Sequence, residues 1–310
     1  MGFVNAASAH QPKIKDGEVV GGIAGIFRAY LILTKPRIVS LILFTEYCAM
    51  VVAGNRIPTP RETPVGIIGL ALSAGGAAVI NVWYDRDIDG IMGRTMNRPL
   101  PKGIVKPSHA LWFGLGLGVG SIVLFLVTGF KTAALLSAAG YVYYAVVYTM
   151  LLKRRTPQNI VVGGGAGAFG PLVGWSIVAG PLTMTPIWMF AVIFFWTPSH
   201  FWGLALYKKE DYARAGVPMM PVVRGVVSTT RQMVLYAALL VVVSMMLGLR
   251  LRSALVYDGL AVVLGLWFLK INVRLLFARG NTLHLARRTF HASLIYLPIL
   301  FLAAAACSLV

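Results

Sequence analysis

The chain has 310 residues, of which 58% are hydrophobic and only 12% are charged, and its mean hydropathy is +0.77. This composition excludes a soluble globular domain and predicts a protein that crosses a membrane several times. The net charge of +18 would suggest nucleic acid in a soluble protein, but here the basic residues lie in loops between apolar segments, so no nucleic-acid partner is predicted.

Nine apolar segments follow one another along the chain, each close to the length of a transmembrane helix. They cover about residues 38–53, 64–84, 109–128, 132–151, 160–179, 186–207, 232–249, 253–273 and 289–309. The strands of a membrane barrel would alternate polar and apolar residues, and these segments do not. We therefore predict an all-α membrane protein, a nine-helix bundle around a central cavity that opens to the cytoplasmic side and to the membrane.

The basic residues gather in alternate loops. Only five of them fall on the other side: Arg56, Arg61, Lys131, Arg250 and Arg252. By the positive-inside rule, the N-terminus is predicted to be cytoplasmic and the C-terminus to lie outside. Residues 1–30 lack the apolar core of a secretory signal, and we expect a cytoplasmic tail there, followed by an intramembrane domain over residues 31–310.

An acidic cluster marks the end of the second apolar segment. At 100° per residue, Asn81, Asp85 and Asp89 share one helix face, and like charges so placed repel unless a cation lies between them. The basic residues that recur just beyond them are Arg94, Arg98 and Lys102. Asp85 and Asp89 are the predicted metal ligands, and Asn81 completes this face as a third. Oxygen ligands for a hard metal beside donors for an anion predict a Mg²⁺–diphosphate site at the membrane surface. The alternatives are solvated acids at a helix end and ordinary positive-inside charge.

Asp87 lies on the opposite side of this helix turn, so we expect it to meet solvent or a neighbouring arginine. The loop after the sixth segment repeats the pattern: Asp211 is the predicted second-site metal ligand, and Lys208 and Arg214 are predicted to hold the diphosphate as it leaves. Lys153 is expected at the same mouth. A four-helix offset between the two loops indicates an internal duplication. A charged helix end is the alternative.

The sixth segment contains His200 among aromatic residues, with Trp196 and Trp202 four and two positions away. A lone histidine in a membrane helix is usually packed and hydrogen-bonded, but aromatic neighbours also suit a flat macrocycle with His200 as an iron ligand. Glu46 lies in the middle of the first segment, where a carboxyl group needs a partner or water, and the sequence gives it no role.

These residues lie in motifs that resemble the UbiA-type intramembrane prenyltransferases, and within them the branch that prenylates heme. The similarity extends over nearly the whole chain beyond Thr34. It is carried by Asn81-x-x-x-Asp85-x-x-x-Asp89, Arg94-Thr-x-x-Arg98-Pro-Leu, Leu152-Lys-Arg-Arg-Thr-Pro-Gln-Asn159, Trp196-Thr-Pro-Ser-His200-Phe-Trp202 and Asp211-Tyr-x-x-Ala-Gly216-Val-Pro-Met-Met-Pro-Val-Val. One departure is that Lys208 and Tyr212 flank Asp211, where the superfamily commonly has a second Asp-x-x-x-Asp pair.

The resemblance implies transfer of a farnesyl group from farnesyl diphosphate to a vinyl group of protoheme IX (heme B), which gives heme O for terminal oxidases. It implies Mg²⁺ as cofactor, Asp85, Asp89, Asp211 and Lys208 as catalytic residues, and a multi-pass protein of the cell inner membrane with its active site facing the cytoplasm. A heme A synthase is a further expected partner. A dry aromatic cavity would shield the farnesyl cation; its expected residues are Trp83, Tyr84, Trp196, Phe201 and Trp202.

Two rival functions stay open at this point. A sister enzyme would prenylate an aromatic acid or a quinone precursor with the same diphosphate machinery. A secondary transporter is the rival of a different class, but transporters place ionisable residues near the bilayer midplane. In this chain the acids, Glu46 apart, gather at helix ends on one side, which argues against transport.

Overall fold

The computed structural model describes residues 22–278, 280 and 282–310. Within these residues the chain is helical and contains no strand. In chain order the elements are α1 (Ile23–Leu33), α2 (Pro36–Gly54), α3 (Glu62–Tyr84), α4 (Arg86–Ile91), α5 (Pro107–Val127), α6 (Lys131–Val142), a π-helix (Tyr143–Leu152), α7 (Asn159–Gly163), a 3-10 helix (Gly164–Ala168), α8 (Phe169–Val178), α9 (Met184–Tyr207), α10 (Lys209–Arg214), α11 (Met220–Val223), α12 (Gly225–Gly248), α13 (Ala254–Leu276) and α14 (Thr282–Leu309).

Nine helical spans in this part of the chain are long and apolar enough to cross a membrane, which confirms the all-α, nine-helix prediction. The fourth span joins α6 to the π-helix, and the fifth runs from α7 through the 3-10 helix to α8. The seventh and ninth begin at Gly225 and Thr282, ahead of the apolar segments at 232 and 289. The added turns carry arginines, whose long apolar stems let a helix continue beyond the hydrocarbon boundary.

Small residues allow the spans to approach closely. An added Cβ on Gly76 of α3 would lie only 2.8 Å from the carbonyl oxygen of Gly114 in α5. Helices in a membrane gain much of their association energy from such backbone-to-backbone packing, because burial in lipid gives little hydrophobic gain. The α3–α5 pair therefore forms a rigid wall, and the acidic cluster follows directly at the end of α3.

Two interruptions position side chains near that end of α3. The helix stops at Tyr84 and resumes at Arg86, although Asp89 still donates its backbone N–H to Asp85 O at 2.8 Å. Across from it, the second half of the fourth span is π-helical, with Lys153 N bonded to Tyr148 O five residues back at 2.8 Å. π-Helical turns are rare and occur frequently at functional sites.

The predicted tail and domain boundary are only partly covered. Helix α1 begins at Ile23, so the described part of the predicted 1–30 tail is helical from that residue on. The rest of the tail, residues 1–21, lies outside the described residues. The division into a tail and an intramembrane domain stays a prediction.

Candidate active site

Asp85 is the centre of the site. Its side chain is 0% exposed and accepts hydrogen bonds from Asn81 Nδ2 at 2.8 Å, from Lys153 Nζ and from Arg154 at 3.3 Å. Asn81 also donates to Thr149 Oγ1 in the π-helix at 3.1 Å. These bonds tie the end of α3 to the end of the fourth span. A buried carboxylate with this many charge-assisted partners is held in one orientation.

Asp89, one helical turn further, is also buried and pairs with Arg98 at 2.5 Å. Thr95 Oγ1 donates to the Asp89 carbonyl oxygen at 2.9 Å and so fixes the turn between the acid and the arginine. Of the three basic residues predicted beyond the acids, Arg98 contacts Asp89, whereas Lys102 is exposed at the surface. Arg94 is partly buried beside Tyr212. Burial raises the pKa of Tyr212, and the nearby Arg94 offsets part of that rise.

Asp87 faces away from Asp85, as predicted. Its carboxylate accepts two hydrogen bonds of 2.7 Å from Arg154, and its side chain is 59% exposed. The hydrogen bond from Arg154 is the main cause that lowers the pKa of Asp87 to about 2, and the pKa of Arg154 is raised in return. Because Arg154 binds both acids, it links the surface carboxylate to the buried one.

Lys35 completes the site and was not predicted. Its Nζ donates to Asn81 Oδ1 at 2.5 Å. Burial, followed by repulsion from Arg98 and Lys153, lowers the pKa of this lysine well below its usual value. Its backbone is left-handed, with φ 53° and ψ 59°, directly before Pro36. A non-glycine residue in such a conformation costs about 1–3 kcal/mol and is typical of functional sites.

The second loop meets the first. Asp211 Oδ1 lies 3.8 Å from the position of a Cβ on Gly93, in the loop that follows α4. Asp211 pairs with Arg214 and, at 3.8 Å, with Lys208. The two acidic loops therefore lie on the same side of the bundle and touch. Arg214 is mostly exposed and Glu210 is exposed, so Asp211 is the inward-facing acid of this loop.

A cavity extends from this site into the bundle. It has about 660 Å³ of space, counting its open side, and begins at Lys35 and Tyr144. Deeper walls come from apolar and small residues of α2, α3, α6, the 3-10 helix and α8: Ile38, Val39, Ile42, Leu70, Ser73, Ala74, Ala77, Ala78, Ser137, Gly140, Tyr141, Ala166, Gly167, Phe169 and Gly170. Its lining of apolar and small residues suits an apolar chain.

The aromatic lining differs from the sequence expectation. The rings on this cavity belong to Tyr141, Tyr144 and Phe169. None of the five aromatic residues expected there contributes to its walls. Trp83 packs toward α1 and α5 with Arg86 over its ring, and Trp202 is fully buried against Tyr236. The sequence shows where the aromatic residues lie along each helix but not the direction in which each side chain faces.

His200 is held in a stack. Its ring lies between Trp196, at 4.2 Å between centroids, and Phe290 of α14, at 4.8 Å. Nδ1 is 2.7 Å from Ser293 Oγ, and Trp196 Nε1 donates to Ser293 O at 2.9 Å. The bond between His200 Nδ1 and Ser293 Oγ fixes the imidazole ring and leaves Nε2 as the nitrogen that could bind a metal. The heme-binding roles of His200, Trp196 and Trp202 stay predictions.

The donor set fits Mg²⁺ only in part. No group of three acidic, histidine or cysteine side chains in the described residues is close enough to hold an ion. Asn81 uses both amide atoms in bonds to Lys35, Asp85 and Thr149. Asp85 and Asp89 nevertheless supply hard oxygen ligands. Because Mg²⁺ usually binds through one or two carboxylates together with substrate phosphates and water, these two acids fit the ion without a protein-only cage.

Fold and site together define the class: an all-α integral membrane protein whose acidic and basic cluster lies at the mouth of an apolar cavity. The model of the UbiA prenyltransferase family matches residues 42–306. The chain belongs to this family, and it is an enzyme of the prenyltransferase class rather than a transporter.

Named relatives and solved structures are similar to this chain over most of its length. A protein of Symbiobacterium thermophilum named protoheme IX farnesyltransferase is 48% identical over 94% of this chain and 95% of its own length. One of Granulibacter bethesdensis with the same name is 45% identical over 89% of each chain. Two solved structures share the fold at 18% identity. A digeranylgeranylglyceryl phosphate synthase has a TM-score of 0.75 over 92% of this chain and 99% of its own, and an Archaeoglobus fulgidus UbiA homologue bound to DMAPP and Mg²⁺ has 0.65 over 89% and 99%.

Proposed function

We propose that this protein transfers the farnesyl group of farnesyl diphosphate to a vinyl group of protoheme IX, giving heme O and diphosphate. One observation carries the proposal on the donor side. The buried carboxylates of Asp85 and Asp89 lie beside Lys35, Arg98 and Lys153 at the mouth of an apolar cavity. This arrangement suits a molecule with an anionic head and a long apolar tail. The names of the relatives support farnesyl as donor and heme as acceptor.

The basic residues bind the head group. Lys35, Arg98 and Lys153 would donate to phosphate oxygens and stabilise the negative charge that grows as the allylic C–O bond breaks. The further predicted donors of this site are Arg94, Lys102, Lys208 and Arg214. Asp85 and Asp89, with Asp211 from the second loop, would hold Mg²⁺, which supplies Lewis-acid stabilisation of the leaving diphosphate when bound. The Archaeoglobus homologue bound to DMAPP and Mg²⁺ supports this part by analogy.

The cavity and the acceptor complete the reaction. The prenyl chain would extend from the Lys35 end along Ala74, Ala77 and Ile42, where the rings of Tyr144 and Phe169 exclude water from the allylic cation. The vinyl carbon of heme attacks this cation. Water then adds to the carbon next to the porphyrin and loses a proton, so that the new group is a hydroxyalkyl chain. His200 would bind the heme iron through Nε2.

A direct assay tests the proposal. Membranes that contain the full-length protein are incubated with heme B, farnesyl diphosphate and Mg²⁺, and heme O is measured by mass spectrometry. The expected product is heme B with one farnesyl group and one hydroxyl group added. If 4-hydroxybenzoate is prenylated and heme is not, the donor chemistry holds but the acceptor is wrong. If neither acceptor reacts and no diphosphate is released, the proposal fails.

The location of the reaction is part of the proposal. The basic loops that carry the site are expected on the cytoplasmic side of the cell inner membrane by the positive-inside rule. Heme O would then be available to a terminal-oxidase pathway, and docking of a heme A synthase stays a prediction. Labelling of single cysteines introduced at Lys209 and Arg250, with a reagent that does not cross membranes, would report on which side each loop lies.

A further inference from the structure

Glu46 is a buried acid that the proposed reaction does not use. Its side chain is 0% exposed in the middle of α2, and both carboxyl oxygens lack a hydrogen-bond partner among the described residues. A buried polar group without a partner costs free energy that an apolar side chain of the same size would not cost. Glu46 is therefore a buried group to which neither the proposed reaction nor a hydrogen bond within the described residues assigns a role.

The position of Glu46 relates it to the cavity. Lys35, directly before α2, lines the cavity together with Val39 and Ile42 of α2, and at 100° per residue Glu46 continues the face of Val39 and Ile42 one turn deeper. The antiparallel helix α3 shows the same relation, because Gly66 lies four residues beyond the wall residue Leu70. Each step of four residues is about 6 Å along the helix axis.

Helix α8 shows the same relation to the cavity as α2 and α3. In α8, Gly174 lies four residues beyond the wall residue Gly170. A Cβ on Gly174 would lie 2.9 Å from Glu46 Cγ, and one on Gly66 would lie 3.3 Å from Glu46 Oε1. Glu46 thus occupies a space that two glycines leave open, directly beyond the deep end of the cavity. The same Cβ on Gly66 would lie 3.1 Å from Ile177 Cδ1 and 3.2 Å from Met50 Sδ, so these two side chains pack beside Glu46 at this point.

We propose that Glu46 closes the deep end of the donor cavity and sets the longest prenyl chain that the enzyme accepts. This inference rests on the proposed function, since it takes the cavity to hold the prenyl tail. One further isoprene unit is comparable in length to one helical turn, and it would enter the space that the Glu46 side chain fills. Met50, Ile177 and the two glycines pack around the Glu46 side chain, so a longer chain could enter this space only if that side chain were shortened or displaced.

The test compares chain-length preference in four proteins. Full-length wild type, Glu46→Ala, Glu46→Gln and Cys48→Ala are assayed with farnesyl and geranylgeranyl diphosphate. Cys48 is a matched control because it is buried in the same helix on another face and lines no wall of the cavity. Glu46→Ala should raise the ratio of kcat/KM for the longer over the shorter donor about tenfold or more, since each methylene group in a closed pocket changes discrimination by about 10–200-fold. Glu46→Gln and Cys48→Ala should leave the ratio unchanged.

An unchanged ratio in Glu46→Ala, or an equal rise in Cys48→Ala, would overturn the inference. If Glu46→Ala does not assemble in the membrane, Glu46→Asp shortens the side chain by one methylene group and should shift the ratio in the same direction by less. Competition between the two donors for binding to the protein is measured alongside turnover. Wild type that binds farnesyl diphosphate but does not prenylate heme would contradict the proposed function, while the binding ratios would still decide the role of Glu46.

Discussion

Replacing Asp85 by asparagine is the most direct test of the site, because the change removes one charge and keeps the shape. The Asp85 side chain is 0% exposed and accepts bonds from Asn81, Lys153 and Arg154. Arg154 keeps its pair with Asp87, so the group that loses its partner is Lys153, whose side chain is 14% exposed. Removing one partner of a buried ion pair costs about 3–5 kcal/mol, so the amount of folded protein in the membrane has to be measured together with activity.

Asp85→Asn should also slow catalysis by the protein that does fold. Loss of one preorganised electrostatic contact lowers kcat by about 10²–10³-fold, and here the lost group is also a predicted metal ligand. We expect kcat/KM for heme O formation to fall by about 10³-fold or more, equivalent to about 4 kcal/mol of transition-state stabilisation. The assay is heme O production in membranes at several Mg²⁺ concentrations, normalised to the amount of membrane-inserted protein.

Asp87→Asn is the matched control. Asp87 lies two residues away and makes an exposed pair with Arg154, so its replacement should cost at most about 1 kcal/mol and change kcat/KM only a few-fold. If Asp85→Asn keeps more than a tenth of wild-type activity, or if both variants lose activity to the same extent, Asp85 does not have the role assigned to it.

Three further predictions test the head-group, metal and acceptor parts of the site. Burial, together with Arg98 and Lys153, lowers the pKa of Lys35, and a bound diphosphate should raise that pKa. Diphosphate binding should therefore take up protons, and its affinity should fall as the pH rises above the lowered pKa of Lys35. Titration calorimetry in buffers of different ionisation enthalpy should show the proton uptake, and Lys35→Met should remove it. Chelation of divalent ions should stop turnover and added Mg²⁺ should restore it, whereas activity that survives exhaustive chelation would contradict the metal assignment. His200→Ala should weaken heme binding, read from the Soret band, with KM for farnesyl diphosphate unchanged and the exposed His291→Ala as control; an unaltered Soret titration would remove the iron-ligand role.

Much of the framework could be predicted from the sequence, because it depends on local properties. Transmembrane helices are long apolar runs whatever their neighbours, and the nine spans were found within a few residues except where arginines extend α12 and α14. The relation of Asn81 to Asp85 follows from helical spacing alone, and their side chains do touch at 2.8 Å. The contact between the second acidic loop and Gly93 agrees with the inference that both loops belong to one mouth.

The parts that the sequence did not reveal depend on distant packing. Lys35 reaches Asn81 only because its backbone is left-handed before Pro36, a conformation that dihedral preferences disfavour. The π-helix at Tyr143–Leu152 contains no proline or glycine from which it could be predicted. It nevertheless brings Thr149, and Lys153 directly after it, to the end of α3. The relation of Glu46 to the cavity requires the registers of three helices, none of which a single sequence fixes.

The pairing in the site indicates how it would bind its substrate. Asp85 is paired with Lys153, and Asp89 with Arg98, so the carboxylates proposed for the metal are neutralised by cations proposed for diphosphate. The attraction within each pair offsets the free energy of burying these charges in a low-dielectric bundle. A magnesium diphosphate would exchange both sets of partners at once, since the metal would replace the cations on the acids while the phosphates replace the acids on the cations. The head group without its metal would satisfy only half of this exchange. Binding of diphosphate and of Mg²⁺ should therefore be strongly cooperative, and each should tighten the other by the same factor.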